Sequence, residues 1–167
     1  MRALAALALV ATAVLAAVGA VDAAPAWAAG AAATPASCKL LKTAEVTAAM
    51  DQPAGPGNAG PVPEVCAWPL FATSDHAAGS VYLFLERGPK AKRDFTLAFD
   101  FNEADRVRLT GLGRKAFYAR SLSTVWVLEN RSTLFYVQGI YPRDAGPEAG
   151  ALQDSLVRLA KRAEARL

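Results

Sequence analysis

Two cysteines, a single histidine and carboxylates scattered singly are the side chains of this sequence with chemistry to offer. Cys38 stands in PASCKLLKTAEV and Cys66 in VCAWPL. A metal site needs more ligands than two cysteines and one histidine, and a thiol nucleophile needs a base beside it. In an exported chain, two cysteines with no third to compete have one internal pairing, so a Cys38–Cys66 disulfide is expected. The bridge would close the loop DQPAGPGNAGPVPEV, whose prolines and glycines give it little to bury. On the chain-entropy account such closure stabilises by roughly 3 to 4 kcal/mol, less any strain.

The remaining chemical signals are weaker. His76 lies in TSDHAAG beside Ser74 and Asp75, but a catalytic triad converges from separate elements, so a solvated loop is expected there. The glycines of TGLGRK lack the G-x-x-x-x-G-K-[ST] spacing of a phosphate loop and read as a tight turn needing a permissive backbone. No catalytic residue, metal ligand or cofactor is predicted. Arg106, Arg108, Arg114 and Lys115 fall close together, with Arg120 beyond them. Sharing a face, they would meet an anionic envelope polymer, a lipid headgroup or an acidic protein; interspersed with Asp105 and apolar residues, they also fit an ordinary soluble surface. Trp68, Tyr82, Trp126 and Tyr136 are the aromatics expected to line a ligand pocket between sheet and helices, the alternative being plain core.

The elements that must position these residues follow from periodicity. LLKTAEVTAAM reads as a short helix with Thr43 placed as cap and Glu45 in the first turn. CAWPLF reads as a strand at a sheet edge, because Pro69 removes a ladder donor. SVYLFLE is apolar on both alternating sides, as in a strand covered on both faces. Gly88-Pro89 ends it, and Ala91, Phe95, Ala98 and Phe99 then form a helical stripe that Leu97 and Phe101 widen. A turn-rich stretch, LTGLGRKAFYAR, leads into a hairpin of LSTVWVLEN and STLFYVQGIY with Asn130-Arg131 near its turn. From Pro147 onward, Leu152, Leu156, Leu159, Ala160, Ala163 and Leu167 keep a helical period. The predicted fold is α+β: an antiparallel sheet with N-terminal, middle and C-terminal helices packed against it and one disulfide.

The N-terminus points to export. Arg2 precedes a long run without charge, and Ala26-Trp27-Ala28 offers a small-residue cleavage site. Residues 1–28 are therefore read as a secretory signal peptide, 29–37 as a flexible leader and 38–167 as one domain. The apolar run approaches bilayer length, but the A-x-A exit and the lack of a cationic stop sequence favour cleavage over anchoring. The 53% apolar content is inflated by that run, and the net charge of +3 says little about partners. The mature chain is expected to be secreted or wall-associated and not membrane-spanning, with no nucleic-acid partner. Cys38 follows Pro35-Ala36-Ser37 instead of a Leu-rich lipobox, so a lipid tether is not expected.

Cys38 with LLKTAEV, Cys66-Ala67-Trp68, and Gly111-Leu112-Gly113 before Ala116-Phe117 resemble exported actinobacterial domains of unknown function that share C-x-L-L-T-x-x-E-V, C-x-W and G-L-G-D-x-A, many of them lipoproteins. The likeness covers nearly all of the chain after the signal. It implies a disulfide between the cysteine motifs, an α+β envelope domain and no established activity. Lys42 is inserted before Thr43 relative to that pattern, and Arg114 replaces a commonly acidic residue. The functional expectation is a secreted, non-enzymatic domain that binds a small molecule, envelope polymer or protein. The alternatives are a hydrolase acting on an envelope polymer through two close carboxylates, or a secreted inhibitor using the loop from Asp51 to Glu64.

Overall fold

The computed structural model describes residues 34–142 and 146–167; the proposed signal peptide and most of the leader lie outside the described residues. A 3-10 turn over Ala36–Lys39 opens the domain. Pro35 and Ser37 are buried, so packing begins a few residues before Cys38, within the stretch read as leader.

Helix α1 spans Thr43–Met50. Thr43 is its first helical residue and not its cap. The Lys42 amide donates instead to Glu45 Oε2 at 2.9 Å, satisfying a donor that the first turn leaves free. The helix ends at Asp51, which takes a left-handed conformation (φ 51°) ahead of Pro53.

Strands β1 (Asn58–Ala59), β2 (Val65–Leu70), β3 (Gly79–Arg87), β4 (Arg106–Leu109), β5 (Lys115–Ala119), β6 (Thr124–Asn130) and β7 (Thr133–Ile140) form one sheet in the order β1-β2-β3-β7-β6-β5-β4. Every neighbouring pair is antiparallel. Helix α2 (Ala91–Phe101) follows β3, and α3 (Ala149–Glu164) closes the chain. This is the α+β fold expected, with the Cys38–Cys66 disulfide formed. The stretch expected to be merely turn-rich is a second hairpin, β4–β5, with Gly111 and Gly113 in its connection. Pro69 sits in β2 with its carbonyl accepting from the Gly55 amide, so its missing donor faces the short outer edge of the sheet.

Alternation along the strands divides the sheet into two faces. On one face Val81, Leu83, Val125, Val127, Phe135 and Val137 pack with α1 and α3, whose Val46, Met50, Leu152, Leu156 and Leu159 complete the main core. The opposite face carries Phe117, Leu128 and Leu134 under Ala91 and Phe95 of α2. On this second face one lateral row runs across the sheet through directly opposed residues: Val65, Phe84, Tyr136, Trp126, Phe117 and Arg108. Helix α2 covers only the Phe117 end of that row, placing Phe95 and Phe99 at 5.5 and 5.4 Å from its ring. Among the described residues no helix is long and apolar enough to cross a membrane.

Candidate functional site

Where α2 covers the sheet only partly, its flank leaves a cleft of about 490 Å³. The lining comes from one side of α2, the end of β4, the β4–β5 connection, the start of β5, the end of β6 and the β6–β7 turn. Its apolar part includes Phe95, Phe99 and Leu128 of the smaller core cluster, with Leu109 and Ala116 beside them. Lys92, Arg108, Arg114, Lys115 and Arg131 stand around them, all exposed, and no carboxylate lines the cleft.

Local structure explains why these cations converge. Gly111 and Gly113 take positive φ (70° and 51°), which lets the β4–β5 connection turn tightly and return Arg114 and Lys115 beside Arg108. The Arg114 amide donates to the Leu128 carbonyl, fixing that return against β6. Arg131 lies in the two-residue turn between β6 and β7, at the same end of the sheet. The ion pairs among the described residues engage Arg93, Arg106 and Arg166, so none of the five cleft cations is neutralised by one. A concave apolar surface rimmed by like charge focuses an attractive field for anions.

Three of the four basic residues singled out in the sequence, Arg108, Arg114 and Lys115, therefore share one site. Arg106 does not line it. Its guanidinium lies 3.7 Å from the centre of the Phe99 ring, and Nη1 donates to the Phe99 carbonyl at 2.5 Å, so Arg106 fastens the end of α2 to β4. Arg108 also approaches that ring, at 5.5 Å, but has no such backbone bond and stays at the rim.

The four aromatics expected to line a pocket do not come together on one face. Trp68 lies in the main core under α1 and α3, 1% exposed, because β2 turns it to the opposite face from Tyr82, Trp126 and Tyr136. The latter three are half-buried on the open part of the α2 face, where Trp126 and Tyr136 lie 4.6 Å apart and Tyr136 stacks on Phe84 at 5.0 Å. Burial pushes the Tyr136 hydroxyl up from its ordinary pKa. None of the four lines the cleft. The aromatic floor is supplied instead by Phe95 and Phe99, which the helical stripe had identified as packing residues. Lys92 and Arg131 were not singled out; the one signal for Lys92 was its place one turn before Phe95 and Thr96.

His76 sits in an exposed turn where the Thr73 hydroxyl accepts from the Asp75 and His76 amides. No group of three or more His, Cys, Asp or Glu side chains among the described residues is arranged to hold a metal ion. A pair of acids does meet on the α3 side of the same sheet end. Glu164 Oε1 accepts from the Gly113 amide at 2.6 Å, while Glu129 Oε2 is buried without a partner. Burial, and then the neighbouring Glu164 carboxylate, raise the Glu129 pKa above its ordinary value.

No family model, curated protein or solved structure matches this chain.

Proposed function

We propose that this protein is a secreted, non-enzymatic binding domain of the cell envelope and that its ligand seat is the cleft beside α2. The observation that carries the reading is the convergence of five unpaired cations around an apolar floor with no carboxylate in the lining. Ordinary soluble surfaces mix both signs of charge, so a one-signed concave site suits an anionic partner. The signal-like N-terminus and the disulfide are compatible with an oxidising, extracellular setting. The resemblance to exported actinobacterial domains supports the same setting.

The test is retention of the exported protein on immobilised anionic envelope fractions and on polyphosphate as a defined polyanion. The triple variant R108Q/R114Q/K115Q is expected to lose retention while its melting curve stays close to that of the parent, because all three side chains are exposed. R120Q, outside the cleft lining, is expected to be retained normally. Undiminished retention of the triple variant would return the cluster to ordinary surface.

A further inference from the structure

Resting on that reading, we infer that the cleft takes a phosphate ester carried on an apolar or aromatic body: a discrete anionic amphiphile and not a bare anion or a stretch of polymer. Shape is the first argument. A concavity of about 490 Å³ falls within the range of small-molecule sites, whereas capture of a linear polyanion needs only an open basic stripe.

The floor is the second. Phe95, Phe99 and Leu128 give an apolar body a surface to cover, and a bare phosphate would be stripped of water against them with nothing gained. Charge count is the third. A phosphate monoester carries about −1.5 to −2 at neutral pH and three acceptor oxygens, and so engages several cations where one carboxylate would leave most of them facing each other. Arg108 is set for this role. Its guanidinium is drawn toward the Phe99 ring at 5.5 Å, which biases its plane while leaving N–H edges at the rim. The Thr110 hydroxyl adds a neutral donor in the same lining, whereas the Thr96 hydroxyl donates to the Lys92 carbonyl.

The experiment is calorimetric titration of the exported protein with four probes below their aggregation concentrations: decyl phosphate, phenyl phosphate, inorganic phosphate and uncharged decanol. At least one ester is expected to bind roughly tenfold or more tightly than inorganic phosphate, the factor that burial of about 60 Å² of apolar surface supplies, and roughly tenfold or more tightly than decanol through charge-assisted bonds to the cleft cations. The same affinity is expected to fall at least about tenfold in R114Q/K115Q and to weaken with salt. Preference for decyl over phenyl phosphate would identify a lipid-like source, and the reverse a soluble aromatic one.

Inorganic phosphate binding as tightly as the esters would overturn the inference while leaving an anion-binding cleft. So would silence from all four probes in a protein still retained on polyphosphate, which would mark the polymer as the partner. Decanol matching the esters, with R114Q/K115Q unaffected, would remove both the inference and the reading beneath it.

Discussion

Glu129 is a side chain whose surroundings oppose its charge. Its Oε2 is buried without a partner and Glu164 lies beside it, so the fold favours the protonated acid. A carboxyl raised in the folded state is stabilising only while it keeps its proton. The contribution is intact below the ordinary value of 4.5 and is lost as pH rises from there through the higher folded value. Glu129→Gln is therefore expected to raise stability at pH 7 by on the order of 1 kcal/mol, with the gain vanishing near pH 4, as read by urea denaturation at both pH values. The same variant separates binding from hydrolysis. A carboxyl with a raised pKa beside a second carboxylate resembles acid–base machinery, yet Glu164 is occupied by the Gly113 amide. Turnover of an envelope polymer that disappears in a folded Glu129→Gln protein would overturn the non-enzymatic reading. None of this pairing was legible in the sequence, where Glu129 and Glu164 are isolated acids far apart in the chain.

At the scale of elements, the β4–β5 hairpin decides whether the cleft exists, because its connection returns Arg114 and Lys115 toward Arg108. Gly113 is the constrained position. A Cβ there, at φ 51°, would lie 2.6 Å from Val127 Cγ1 and 2.9 Å from the Leu128 carbonyl, against the strand that floors the turn. Gly111 has positive φ but open space around it. Gly113→Ala is expected to cost about 2 to 4 kcal/mol, combining backbone strain with a displaced Glu164 contact, whereas Gly111→Ala costs about 1 kcal/mol. Thermal melts of the two variants check the ranking, and equal losses would show that space around Gly113 is not the constraint. The glycines were legible as a tight turn, since only backbone freedom explains two of them so close together. The hairpin itself was not, because β4 and β5 are short and RVRL alternates charge with apolar residues in a pattern that a surface loop shares. Helix α3 was the opposite case: of six apolar positions at helical spacing, five are buried in the main core, while Leu167 lies beyond the end of the helix and is exposed.

Across the whole molecule, the sheet separates two unequal layers. The α1/α3 side holds most of the core, and the α2 side is half-covered and carries the cleft. Sequence periodicity could establish the sheet and its helices but not which face each strand presents, and that is why Trp68 was grouped with aromatics it never meets. A one-residue change in register reverses every side chain, and only the pairing of Trp68 with Val81 places it inward. The disulfide was readable because it depends on residue count and compartment, not on register. It joins the 3-10 turn before α1 to β2, closing a span of 28 residues at the β1 end of the sheet, away from the cleft at the β4 end. Its loss should therefore act on folding and leave anion binding largely alone. The Cys38→Ser/Cys66→Ser double variant is expected to lose roughly 3 to 4 kcal/mol of stability, because the Pro/Gly loop regains its freedom when unfolded. Below its lowered melting point it should still be retained on anionic fractions like the parent. A melting curve that does not move would show the bridge to be dispensable; a folded double variant that loses retention would show that the two ends of the sheet are coupled.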